Sequence, residues 1–132
     1  MKPILLVTPN RSRFGDISSA IQDLGGQIDW APSGRQAMEI IRQQAVELVV
    51  TDEQLGDMTG LEMIAGLIAV NPAINCAAVS SLSDKAFHQV SEGLGIVMKL
   101  PPVPSRADGK RLINRLNQIV GAAPTTPLSA TR

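Results

Sequence analysis

The chain has 132 residues, 44% of them hydrophobic, and its 12 Lys plus Arg balance 12 Asp plus Glu, so the formal charge is zero. That length suits one domain with a real core, the apolar fraction excludes a disordered polymer, and the lack of basic excess disfavours nucleic acid as the main partner. A lone cysteine, no apolar run long enough to span a membrane, and only two Phe, one Trp and no Tyr predict a cytoplasmic protein with an aliphatic core and little to stack on flat rings.

Pro3 to Val7 is a short apolar run, expected as a fully buried strand. Phe14, Ile17, Ile21 and Leu24 then recur at helical spacing, and Gly25-Gly26 supply a stop. Gln27 to Ala31 mixes polar and apolar residues, as a strand at a sheet edge does. Ser33 and Gln36 have the spacing of a capping box, and Ala37, Ile40, Ile41 and Ala45 line one face of the helix they open. The next strand, Leu48 to Thr51, runs directly into two carboxylates, Asp52 and Glu53. Thr59 and Glu62 form a second capping box, opening a helix with Leu61, Ile64, Ala65 and Ile68 inward and Pro72 at its close.

Ile74 to Val79 is the fourth strand. Ser81 or Ser83 caps a short helix holding Phe87, Val90 and Leu94. Ile96 to Met98 is the fifth strand, ended by Lys99 and the loop Leu-Pro-Pro-Val-Pro104. A last helix carries Leu112, Ile113, Leu116, Ile119 and Val120. Residues 1–121 therefore make one domain, and 122–132 have the composition of a flexible C-terminal tail or linker.

Strands alternating with helices predict an α/β fold, a five-stranded parallel sheet with helices on both faces. Ligands of such sheets bind at the carboxyl ends of the strands. Thr8, Asp52, Ser80 and Lys99 all stand at such ends. Asp52 could take a phosphoryl group as an acyl phosphate, with Ser80 donating to one of its oxygens and Lys99 balancing the added charge. The same pattern also reads as a lysine paired with a carboxylate at a sheet edge, with Ser80 merely capping its loop. Cys76 reads as a small core residue, His88 as a surface residue without metal-ligand partners, and Gly93-Leu-Gly95 lacks the third glycine of a dinucleotide fingerprint.

Three segments carry a family resemblance: LVVTDEQLGDMTGLE around Asp52, AVSS ending at Ser81, and IVMKLPP around Lys99. Over residues 2–120 the chain resembles the receiver domain of two-component response regulators. The resemblance implies a flavodoxin-like strand order 2-1-3-4-5 and a signalling module rather than an enzyme. It makes Asp52 the phosphoacceptor, with Ser80 and Lys99 beside it and Thr8, Asn10, Glu53 and Gln54 in the phosphate and metal neighbourhood. It implies Mg²⁺ as helper and a histidine kinase or phosphotransfer protein as donor. The fourth helix, fifth strand and fifth helix would meet an output protein or domain, or a second copy in a homodimer. Neither nucleic acid nor membrane is expected to bind this domain.

The chain departs from that family at two places. Where receivers carry an acidic pair after the first strand, it has Thr8-Pro9-Asn10, which leaves Mg²⁺ at most a weak site at Asp52. Arg11 and Arg13 follow; a guanidinium fork could stand in for the metal, or both could face solvent from a first helical turn. The aromatic switch residue three before the lysine is Ile96, and Lys-Pro becomes Lys99-Leu100-Pro101-Pro102, where a cis Leu100-Pro101 bond is allowed. The expected function is a receiver domain with phosphoacceptor Asp52 and a degenerate metal site. The alternatives are a phosphorylation-independent pseudo-receiver that binds proteins and a flavodoxin-like phosphate or cofactor binder. The receiver reading requires residues 52, 80 and 99 to meet in one pocket.

Overall fold

The structure, a computed structural model, describes residues 2–121, so the tail expected at 122–132 lies outside the described residues. Five strands run in parallel: β1 (Ile4–Val7), β2 (Ile28–Ala31), β3 (Leu48–Thr51), β4 (Cys76–Val79) and β5 (Met98–Leu100). Their order is β2-β1-β3-β4-β5, as the resemblance implied. β1, β3 and β4 are buried along their whole length, which is why they carry no alternating polar residues. The half-buried β2 is an edge, as its mixed polarity predicted.

Successive strand residues face opposite sides and so feed two separate cores. Ile4, Leu6, Val50 and Val79 pack with Phe14 and Leu112 under α1 (Gly15–Asp23) and α5 (Arg106–Gly121). Leu5, Val7, Val49 and Ala78 pack with Met63 and Phe87 under α2 (Gly34–Gln43), α3 (Gly60–Val70) and α4 (Asp84–Ser91). α1 and α5 lie side by side, and Arg106 pairs with Asp23 across them. Cys76 is buried in the second core, and burial pushes its thiol up to about 12, so it is a packing residue and not a nucleophile.

Several boundaries differ from the sequence expectation. The chain enters α1 through a 3₁₀ turn, Arg11–Phe14, because Asn10 caps that turn by accepting from the Ser12 amide at 3.2 Å. β5 begins at Met98, two residues later than expected: Met98, Lys99 and Leu100 pair with Ala77, Ala78 and Val79, and Leu100 is fully buried. Lys99 therefore lies inside the strand, with Ile96 before it. Ala45, Ala65 and Val90, expected inward, are exposed, as are Leu24, Ile119 and Val120. Every peptide bond among the described residues is trans, Leu100-Pro101 included. No helix among them is long and apolar enough to cross a membrane.

The helix starts follow the sequence more closely. Thr59 and Glu62 form the complete capping box, at 3.1 and 2.8 Å. Ser33 accepts from the Gln36 amide, and a carboxylate from a distant loop completes that end: Asp57 accepts from the Gly34 and Arg35 amides, each at 3.0 Å. Those bonds, Arg35's first, hold the Asp57 carboxyl below the ordinary carboxylate range. A depressed folded value means stability that is present above the unfolded pKa, about 3.9, and lost as pH falls through the folded one. Asp57→Asn is expected to lower the melting temperature at neutral pH, with the gap to wild type closing below about pH 4. Melting curves across pH 2–7 check it, and a gap independent of pH contradicts it.

Candidate functional site

The site lies where β1 and β3 end side by side. The Asp52 amide donates to the Val7 carbonyl at 2.8 Å, fixing the residue just past β3, and only 4% of Asp52 is exposed. Its two carboxylate oxygens are taken up by the protein itself. Oδ2 accepts from the Thr8 hydroxyl at 2.8 Å and from Arg13 Nε at 3.1 Å. Oδ1 accepts from the Glu53 amide at 2.8 Å and, more loosely, from Arg13 Nη2 at 3.4 Å. The same Nη2 donates to the Pro102 carbonyl at 2.9 Å. Arg13 thus leaves the 3₁₀ turn ahead of α1 and reaches both Asp52 and the β5–α5 loop. A buried carboxylate needs such partners, since an unpaired charge there would cost several kcal/mol. Of the two arginines weighed at this position, Arg11 turns elsewhere and stacks on Trp30, 4.9 Å from the ring centroid.

Of the three residues expected to meet, Asp52 and Ser80 both bond Glu53, and Lys99 bonds elsewhere. Lys99 lies opposite Ala78, a member of the α2–α4 core, and so leaves the sheet toward α4, where its Nζ pairs with Asp84 at 3.1 Å. There it helps line an open groove of about 610 Å³ with Phe87, His88, Ile96, Met98 and Arg115. Ser80 is buried, and its hydroxyl lies 3.5 Å from Glu53 Oε2 and accepts from the Leu82 amide at 3.1 Å. Thr8 joins Asp52 directly. Asn10 spends its side chain on Ser12, and the exposed Gln54 bridges to Thr59 through the backbone. Ile96 is half-buried against the α2–α4 core and lines the groove.

Glu53 has a role that sequence reading gave only loosely. Its carboxylate accepts from the Ser81 amide and hydroxyl, all at 3.2 Å, tying the β3–α3 loop to the β4–α4 loop. The Asp57 cap on α2 was missed altogether; a lysine–carboxylate pair at a sheet edge was weighed, without Asp84 as its carboxylate. Asp84 beside the cap residue Ser83 was a legible first-turn carboxylate, but nothing in the sequence pairs it with a strand residue fifteen positions on.

These residues do not suit a divalent cation. Mg²⁺ needs several hard anionic or carbonyl oxygens in octahedral array. Here Thr8-Pro9-Asn10 replaces the acidic pair, and a guanidinium already occupies the flank of Asp52. Among the described residues no three or more His, Cys, Asp or Glu are grouped to hold a metal.

Comparison with known proteins supplies the family. The pattern described as the response regulator receiver domain matches residues 4–100. The chain is 31% identical over 80 residues to the transcriptional regulatory protein ZraR of Escherichia coli strain K12, covering 61% of this chain and 18% of that protein. It is 30% identical over 104 residues to a protein-glutamate methylesterase/protein-glutamine glutaminase of Paramagnetospirillum magneticum, covering 77% of this chain and 29% of that one. The chain thus spans less than a third of either relative. Its fold is that of the chemotaxis response regulator CheY4 of Vibrio cholerae, with TM-score 0.78 and 18% identity over 88% of this chain and 98% of that one. A two-component response regulator from Clostridium difficile gives TM-score 0.78 and 14% identity over 95% and 100%. By its strand order and its match over most of its length, the chain belongs to the response regulator receiver domain family.

Proposed function

We propose that this domain works in two-component signalling as a protein-binding receiver whose conformation is set by the Arg13–Asp52 pair, without metal-dependent phosphoryl transfer. One observation supports this above others: the Arg13 guanidinium bonds both oxygens of the Asp52 carboxylate, while Lys99 pairs with Asp84. An aspartate so held is a poor nucleophile, because its attack must first break the ion pair. The groove between α4, β5 and α5 then serves as the contact face for an output protein or domain. α1 is the natural approach for a kinase or phosphotransfer protein. Relatives named as a transcriptional regulator and as a methylesterase suggest that such a receiver controls a neighbouring module and is not itself the enzyme.

A second reading has its own support. A guanidinium fork 3.1 Å from Oδ2 is chemically suited to a phosphoryl oxygen. In that reading Asp52 is a slow phosphoacceptor: a carboxylate oxygen forms the new O–P bond, the bond to the donor breaks, and the leaving group departs with its electron pair. Arg13 then carries the neutralising charge.

Intact-mass measurement after incubation with a small acyl or amido phosphate, with and without Mg²⁺, separates the two. The binding-module reading expects no gain in either arm. A gain of about 80 Da, one phosphoryl group, that disappears in Asp52→Ala sinks it and supports the second reading. Indifference to Mg²⁺ would then assign the charge to Arg13.

A further inference from the structure

Arg13 touches two places that belong to different parts of the fold. Its Nε and Nη2 hold the Asp52 carboxylate at the end of β3, while Nη2 also donates to the Pro102 carbonyl in the loop between β5 and α5. The Pro102 contact hangs from one nitrogen, and that nitrogen is aimed by the carboxylate on its other side. The side chain is about one third exposed, so solvent would compete for it once the carboxylate charge were gone. Between β5 and the buried Pro104 the loop it reaches is exposed. Pro101 and Pro102 have no amide hydrogen to donate, and both are exposed. Ser105, at the loop's far end, is bonded forward into α5 through Asp108.

The other routes from Asp52 toward that side of the molecule run through different residues. Ser80 and Ser81 lean on Glu53, and Lys99 is paired with Asp84. Ile96 is aliphatic and offers no ring to flip. Arg13 is thus the one side chain described here that bonds both the Asp52 carboxylate and the β5–α5 loop.

We propose that Arg13 is a positioning residue that couples the charge of Asp52 to the β5–α5 loop: while Asp52 is an anion, Arg13 is held and Pro102 is pinned, and when that charge is removed or masked, Arg13 lets go and the loop is freed. The coupling is to the free Asp52 carboxylate: a partner group that takes up that charge releases Arg13, whereas a phosphoryl group brings about two negative charges of its own and would keep Arg13 held. It also gives the fork geometry a purpose, because a guanidinium presents its donors in fixed directions while an ammonium carries three on one freely rotating nitrogen.

The Val103 amide nitrogen reports on this bond directly, since it belongs to the same peptide group as the Pro102 carbonyl. In two-dimensional ¹⁵N–¹H spectra of the full chain, the Val103 signal is expected to leave its wild-type position in Asp52→Asn and in Arg13→Gln. Both should reach nearly the same place, and the double variant should add nothing further. Arg13→Lys, which keeps the charge but not the fork, is expected to displace Val103 in the same direction. Glu53→Gln, which neutralises the adjacent carboxylate, should leave Val103 where it was. The proposal is overturned if Asp52→Asn leaves Val103 unmoved while Arg13→Gln moves it, for Arg13 is then only a staple on its loop. Additive displacements, or an equal response to Glu53→Gln, overturn it as well. Should Arg13→Gln fail to fold, the Asp52→Asn and Glu53→Gln pair alone decides the matter.

Discussion

Replacing Gly60 by alanine is expected to destabilise the domain by about 3 kcal/mol, a fall in melting temperature of about 10 °C. A β-carbon at Gly60 would stand 2.3 Å from the Asp52 carbonyl oxygen and 2.8 and 2.9 Å from Thr51 Cγ2 and Oγ1. The first of these is backbone, so no side chain can swing aside to relieve it. Alanine gains something in return by restricting the unfolded chain, but that is worth at most about 1 kcal/mol and cannot offset the clash. The strain would fall on the turn that carries Asp52, because the Gly60 amide is bonded to the Glu53 carbonyl at 3.0 Å. Denaturant titration of the variant checks this, and an unfolding free energy within about 1 kcal/mol of wild type would show that the strand end yields freely. The glycine eight residues after the aspartate is thus there for lack of space, and its φ is not of the left-handed kind.

The second large effect is expected at Phe14. It is fully buried at the end of the 3₁₀ turn, in the core shared by α1 and α5. Phe14→Ala should lose about 3–5 kcal/mol, the transfer energy of the ring plus the cavity it leaves. Phe14→Leu should lose less than half of that. Because Arg13 is the residue before it, the two variants should also differ at the site. The alanine form is expected to loosen Arg13 from Asp52, while the leucine form keeps the turn seated. Unfolding free energies of both proteins, compared with the position of the Val103 signal, test the two halves together. Equal losses in the two variants would mean that the ring is not what anchors this turn.

The fold was legible because its signals are local and repeated. Unbroken apolar runs such as Leu5 to Val7 and Leu48 to Val50 need cover on two faces, and the Thr59–Glu62 spacing marks a helix start through its own backbone. Strand order came from family resemblance, since nothing local distinguishes β1 from β3 as the centre. The site was legible in part. Asp52 at a strand tip and Thr8 beside it followed from strand ends meeting in a parallel sheet. What the sequence left open was choice among partners. Arg11 and Arg13 stood two apart in one turn, and which of them reached Asp52 depended on how a 3₁₀ turn, not an α-helix, aimed them. Lys99 had been placed after β5; it lies inside it, opposite Ala78, and pairs with Asp84 of α4. The direction of Lys99 follows from its pairing, because a residue in register with Ala78 shares that residue's face of the sheet.

The side-by-side packing of α1 and α5 bears on how the chain acquires its shape during synthesis. Layers made of α2, α3 and α4 join segments near one another in the chain, so they can form as those segments emerge. The opposite layer must wait, because Phe14 and Ile17 find Leu112 and Leu116 only after almost the whole described chain has been made. Until then α1 alone covers that side of β1 and β3, and where α5 will sit the nascent domain offers a greasy surface to whatever chaperone is close at hand.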